Sequence, residues 1–288
     1  MKKLFMAVIA LMMTISASAQ FYIYYSDGTV AKVDSISLVA PEEPEKPEPS
    51  QGIGVFSVSA DKQVTFSKGN LQYHPKNDEW RFAEKQTDYI GRANKNIAVD
   101  YNGWIDLFGW GTSDDPTLSS SNNSDYYIFF DWGRNKVGND APHTWRTLTY
   151  YEWSYLCYKR TNADNLLGIA QVNGVNGLLF LPDNWVCPAG VTFKSGCHSN
   201  YGAESYAAYQ TFTADQWSKL EKSGAVFLPA AGYRDGTYVY YVQYLGIYWS
   251  ATESGSGTAD CLFFSSDEAD MDVDHRYDGL SVRLVKDL

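Results

Sequence analysis

The sequence predicts an α+β domain of two helices, short antiparallel strands and long loops, preceded by a small β-hairpin and a Pro-rich linker. Three observations carry that prediction. Aromatic residues make up 16% of the chain while aliphatic runs are short, which suits many brief strands and loops rather than a helical bundle. Two segments, LTYYEWSYL (148–156) and FTADQWSKL (212–220), share the pattern apolar-Thr-x-x-Glu/Gln-Trp-Ser-x-Leu. Around them lie β-type segments separated by Gly, Asp and Asn turns, as an α+β domain requires.

The elements follow in chain order. MKKLFMAVIALMMTISASAQ opens with two lysines, runs through an apolar stretch and ends at Ala17-Ser18-Ala19, the pattern of an export signal over residues 1–19. Its apolar run is too short to cross a bilayer, and no later stretch offers about 18 consecutive apolar residues. No cysteine follows the cleavage site, which argues against a lipid anchor there. Residues 20–39 alternate apolar and polar residues about Asp27-Gly28, a hairpin signal. APEEPEKPEPSQG (40–52) has the extended composition of a linker, so the main domain is expected over 53–288.

Within that domain, GVFSVSADKQVTFSKGNLQYH (54–74) predicts two or three strands broken at Ala60-Asp61 and Lys68-Gly69. In each helix the threonine (Thr149, Thr213) can cap free N–H groups while Glu152 or Gln216 reaches back, a capping box. Trp153, Leu156, Cys157 and Arg160 share one face, as do Trp217 and Leu220, and Gly224 ends the second helix. AVFLPAAGYR (225–234), GIYWSAT (246–252), CLFFSS (261–266) and LSVRLV (280–285) predict strands.

The formal charge of −11 argues against nucleic acid, whose phosphates need Lys and Arg clusters. Four cysteines, Cys157, Cys187, Cys197 and Cys261, permit three fully paired connectivities. Pairing Cys187 with Cys197 would close a short loop and add about 2–4 kcal/mol. Cys197-His198 could instead begin a metal site, but a disulfide beside a surface histidine is the simpler expectation. The chain holds no G-x-S-x-G, H-E-x-x-H or phosphate-binding glycine loop, and its four histidines are scattered, so no catalysis is expected. The run DEADMDVDH (267–275) spaces Asp270, Asp272 and Asp274 by two. As a calcium loop it would carry His275 where Gly belongs and Ser281 where Glu belongs, so no cofactor is expected and calcium stays a weaker alternative. On a strand the same spacing would project three carboxylates from one face, where charge discourages sheet-to-sheet pairing.

TYVYYVQYLGIYWSATE (237–253) concentrates tyrosines. Tyr248 and Trp249 suit a core, whereas Tyr238, Tyr240, Tyr241 and Tyr244 stand among Gly, Thr and Gln. Tyrosine offers a large contact area at low entropic cost plus one hydroxyl, the chemistry of recognition surfaces. Packing over the core is the competing explanation, and composition favours recognition.

NLQYH, GWIDLFGWGTS, WRTLTYYEWSYL, VNGVNGLLFLPDNW, GAVFLPAAGYRDG, YWSATE and GLSVRLV resemble exported bacterial proteins of the Fibrobacter-type major paralogous domain, from about Gly54 to the C-terminus. That resemblance implies a C-type-lectin-like fold, related to that of formylglycine-generating enzymes. Some proteins of this group are variable products of diversity-generating retroelements, in which randomised adenines convert asparagine codons near the C-terminus. The resemblance then implies a binding face at Tyr238, Tyr240, Tyr241, Tyr244, Ile247, Asp260, Phe263, Asp267, Asp270, Asp272, Asp274, His275, Tyr277 and Asp278, with Cys261 as a further varied position. The frame between them would be Tyr248, Trp249, Leu262, Phe264, Met271, Arg276, Gly279, Val282 and Arg283. Leu181-Pro182-Asp183-Asn184-Trp185 holds the letters of a lectin calcium motif in the wrong order and predicts a turn. No oxidase cysteine pair maps onto the four cysteines. The resulting expectation is a secreted or surface-displayed, adhesin-like binder of a protein or glycan, with the periplasm as the other destination. The alternatives are a carbohydrate-binding module, a formylglycine-generating-type enzyme and a structural surface or pilus-associated subunit.

Overall fold

A computed structural model describes residues 21–24, 30–33, 54–196 and 205–288. The chain parts into two compact units, Met1–Glu48 and Pro49–Leu288. In the first, β1 (Phe21–Tyr24) and β2 (Val30–Val33) pair antiparallel with Tyr24 opposite Val30. The expected signal segment, the Asp27-Gly28 turn and the linker at 40–52 lie outside the described residues.

The second unit is mixed α+β, built of small sheets and few helices. It begins with β3 (Phe56–Ser57), β4 (Gln63–Phe66), β5 (Leu71–His74) and β6 (Glu79–Phe82), broken at the two positions the sequence indicates. Residues 83–149 then run through 3-10 turns and isolated bridges to α1 (Tyr150–Tyr158). A hairpin of β7 (Leu167–Val172) and β8 (Val175–Phe180) follows, then a short α2 (Tyr206–Tyr209), β9 (Thr211–Phe212) and α3 (Ala214–Lys222). The chain closes with β10 (Val226–Pro229), β11 (Tyr233–Asp235), β12 (Tyr238–Tyr240), β13 (Gly246–Glu253), β14 (Thr258–Phe264), β15 (Ala269–His275) and β16 (Val285–Asp287). The strands order as β10-β8-β7-β9, β13-β14-β15, β16-β4-β3, β5-β6 and β11-β12.

Both capping boxes form. Glu152 N donates to Thr149 Oγ1 at 3.3 Å while Thr149 N donates to Glu152 Oε2 at 2.9 Å, and Thr213 with Gln216 repeats the arrangement. Each helix buries its tryptophan. Trp153 and Leu156 enter a core with Phe66, Phe180, Tyr248, Leu262 and Phe264, and Trp217 and Leu220 enter another with Phe212 and Phe227. The short α2 is an addition that sequence periodicity did not indicate, since four residues carry too little pattern.

In sheet β13-β14-β15, the first two strands are covered on both faces. Tyr248 and Leu262 pair across one side and enter the α1 core, while Trp249 and Cys261 pair on the other and enter a third core with Trp80, Phe108 and Trp132. Double coverage explains why Gly246–Ser250 is buried without interruption rather than alternately.

The expected strand LSVRLV is largely replaced by a one-residue-at-a-time crossroads. Gly279 pairs with Arg234, Leu280 with Phe108, and Val285 with Arg146; Ser281 O accepts from Trp249 N at 3.0 Å and Val282 O from Leu71 N at 2.9 Å. Its partners belong to different, diverging sheets, so only Val285 joins regular β16. AVFLPAAGYR likewise divides into β10 and β11 instead of forming one strand. Among the described residues no helix is long and apolar enough to cross a membrane.

Candidate functional site

The tyrosines that sequence reasoning separated from the core are exposed: Tyr238 by 67%, Tyr240 by 40%, Tyr241 by 57% and Tyr244 by 71%. Tyr248 and Trp249 are buried. The division follows from local geometry. Asp235-Gly236-Thr237-Tyr238 closes a two-residue turn, with Gly236 at φ +56°, that pairs β11 with β12. Cross-strand partners share a face, so Tyr233 stands beside Tyr240 and Asp235 beside Tyr238, while Arg234 and Val239 point the other way. Ring centroids lie 5.5 Å apart for Tyr233–Tyr240, 6.1 Å for Tyr233–Tyr241 and 6.1 Å for Tyr238–Tyr240.

The turn after β12 is held open in an uncommon conformation. Tyr241 and Gln243 both adopt positive φ, +53° and +68°. A left-handed L-residue costs about 1–2 kcal/mol, so the surroundings must fix it. Gln243 does much of this: Gln243 N donates to Ala230 O at 2.7 Å, Asn176 N to Gln243 Oε1 at 2.9 Å, and Asn176 Nδ2 to Gln243 O at 2.8 Å. Tyr206 Oη donates to Tyr244 O at 3.0 Å, and Gly232 N to Leu245 O at 2.8 Å. The exposed rings therefore stand on a braced backbone.

A carboxylate group adjoins them. The Arg234–Gly279 pairing brings Asp278 beside β11, where it interacts electrostatically with Asp235 and Asp274 and shares a hydrogen bond with Asp274. Asp278 is only 6% exposed. Burial first, then the hydrogen bond and charge of Asp274, hold its carboxyl well above the usual carboxylate range, so it keeps a proton at neutral pH. Burial, with the charges of Asp278 and Asp274 adding, also raises the Tyr233 phenol. His275 stacks on Tyr277 at 5.0 Å and 8°. Beneath lies Arg234, 1% exposed, whose Nε and Nη2 have no hydrogen-bond partner among the described residues.

Seven predicted residues thus come together: Tyr238, Tyr240, Tyr241, Asp274, His275, Tyr277 and Asp278. The others are placed elsewhere. Ile247 is a correction: at 4% exposed it packs in the core with Trp249, because the inward face of β13 is covered by the 105–132 loops. Cys261 is buried opposite Trp249 in the same core. Phe263 is half-buried beside it. Tyr244 is exposed, its backbone carbonyl accepting from Tyr206, whose phenol also senses Asp267. Asp260 and Asp272 line an open hollow of about 440 Å³ with Tyr150 and Tyr151. Asp270 accepts from Tyr158 Oη at 2.7 Å. Cys187 Sγ lies 3.2 Å from Val191 O, and its expected partner Cys197 lies outside the described residues.

The acidic run is a strand, and its aspartates have a local task. Asp270, Asp272 and Asp274 accept from the N–H groups of Met271, Val273 and His275 at 2.7, 2.8 and 2.8 Å. Arg276 N points back to Gly257 O. By alternation the N–H groups of 271, 273 and 275 face the open edge of β15, so each carboxylate covers one exposed donor. Among the described residues no group of three or more His, Cys, Asp and Glu side chains is arranged to hold a metal ion. Leu181–Trp185 forms the expected turn, where Asp183 receives Ser57 N, Ser57 Oγ and Arg160 Nη1.

Two members of the face, Tyr233 and Asp235, were missed by sequence reasoning. The signal was present as Asp235-Gly236 between alternating residues, a hairpin dipeptide just past the end of the expected strand 225–234. A larger hollow of about 750 Å³ lies elsewhere, lined by Phe66, Arg81, Phe82, Glu84, Trp145 and Lys286 among others. The buried polar groups are structural: Arg283 Nη2 donates to Gln86 Oε1 at 2.8 Å, and Asp106, pushed up to about 6 by burial, receives Ile90 N and Asn94 Nδ2. No protein family, curated protein or solved structure matches the chain.

Proposed function

We propose that the protein is an exported, surface-displayed binding protein, adhesin-like and without catalysis, that holds a protein or glycan ligand on the face of Tyr233, Tyr238, Tyr240, Tyr241, Tyr277 and the neighbouring carboxylates. One observation carries the reading. The exposed rings of Tyr238, Tyr240 and Tyr241 and the half-buried Tyr233 form a chain of contacts on a backbone braced by hydrogen bonds and two left-handed residues. Rigid exposed tyrosines lose little freedom on binding, the property that makes them effective in recognition loops. The export part rests on the N-terminal sequence pattern.

The C-type-lectin-like fold and the resemblance to the Fibrobacter-type major paralogous domain belong to the same proposal. In their support, two capped helices flank β7 and β8, and β16 returns to pair with β4 near the start of the domain. Retroelement diversification of the face is tested at the DNA level, by seeking an adenine-rich repeat of the 238–278 region beside a reverse transcriptase gene. Binding is tested by replacing Tyr238, Tyr240 and Tyr241 with Ser in the full chain and screening protein and glycan arrays. Ligands held by the native chain and lost by the variant, with unfolding unchanged, support the reading. Equal binding by both removes it.

A further inference from the structure

The tyrosine face is unbalanced in charge. Asp235 is exposed, Asp274 half-buried and Asp278 buried against them, and these carboxyls act on the Tyr233 and Tyr277 phenols. The cation close by is Arg234, buried, turned to the opposite face of β11 and acting on Asp278 from beneath. A side chain arriving from solvent therefore meets ring faces and carboxylates together. Both attract positive charge, the rings through their quadrupoles and the carboxylates directly.

We propose that this face seats an arginine side chain of a partner protein, its guanidinium lying against the rings of Tyr238, Tyr240 and Tyr241 and paired with Asp235 and Asp274. The inference rests on the ligand-binding reading above and names its ligand chemistry. A guanidinium suits the seat better than an ammonium because it is planar, weakly hydrated and able both to stack and to form paired hydrogen bonds with a carboxylate. Asp235 is exposed beside Tyr238, where an incoming guanidinium can pair with its carboxyl group. The net charge of −11 favours approach of a basic surface over an acidic one.

The test is an NMR titration of the full chain, tyrosine rings labelled, with a blocked Gly-Gly-Arg-Gly-Gly peptide and its citrulline counterpart, which keeps the shape and loses the charge. The expected result is saturable shifts of the face tyrosines with a dissociation constant on the order of millimolar. The citrulline peptide should bind about tenfold more weakly, and Asp235→Asn or Tyr238→Ala should each weaken the arginine peptide by about threefold or more. Both substituted residues are exposed, so folding is preserved and thermal unfolding checks it. Citrulline binding equal to arginine, no binding, or indifference to both substitutions overturns the proposal. A glycan array run beside it separates the two failures. Sugar binding that disappears in Tyr238→Ala, with no arginine effect, overturns the arginine seat and keeps the binding face. Loss of both signals removes both.

Discussion

Gly232→Ala should be among the most damaging single-methyl changes on the chain, and it acts through the tyrosine face. Gly232 sits at φ +73°, with its N–H bonded to Leu245 O at 2.8 Å. A Cβ there would overlap the Tyr240 carbonyl oxygen and come within 2.8 Å of Val242 N and 3.0 Å of Tyr241 C. These are backbone atoms already committed to the left-handed turn, so they cannot swing aside as a side-chain tip would. The left-handed penalty is about 1–2 kcal/mol, overpacking adds about 1–3, and reduced unfolded-state entropy returns about 0.4–1. The net is a loss of roughly 2–4 kcal/mol. Gly236→Ala is the control: Gly236 has a similar φ of +56° but nothing within 4 Å of the added methyl. It should cost only about 1 kcal/mol. Urea unfolding of the full chain, followed by tryptophan fluorescence, reads both. A difference near zero between the two variants would refute the claim that the braced backbone at 240–242 closes on Gly232.

Thr149→Ala and Thr213→Ala should each cost about 1 kcal/mol in the same assay. Thr149→Ala should be the larger loss, because Glu152 also holds Arg146 at 2.8 Å and Lys62 at 3.1 Å, a network its capping geometry keeps in place. Asp278 carries a raised folded-state pKa, so its contribution is complete below the usual carboxylate range and is lost as pH rises through the folded value. Asp278→Asn should therefore flatten the decline in thermal stability on the alkaline side of that range, measured by melting across a pH series. Glu152 behaves oppositely. Burial pulls its pKa up, but Arg146, Thr149 and Lys62 together pull it below the usual value, so its contribution is lost on acidification. Replacing Asp270, Asp272 and Asp274 together with Thr should uncover three edge N–H groups and raise aggregation, scored by light scattering at fixed concentration.

Much of the architecture was legible because its signals are local. Thr149 and Glu152 lie three residues apart, within reach of the same free N–H groups, so their capping box could be read from spacing alone. The breaks at Ala60-Asp61 and Lys68-Gly69 and the exposure of Tyr238, Tyr240, Tyr241 and Tyr244 were similarly set by short-range composition. What the tertiary structure decided were matters of partnership. Whether Ile247 met solvent or the tryptophan core depended on loops more than a hundred residues away covering β13. Whether 280–285 formed a strand depended on how its partners diverged. Asp278 reached Asp235 because Gly279 pairs with Arg234 on another strand. Sequence alone therefore determined which residues were fit for a binding face, since ring area, charge and turn chemistry belong to the residues themselves. Which of them share that face is a matter of long-range pairing and burial, and only the folded chain supplies those.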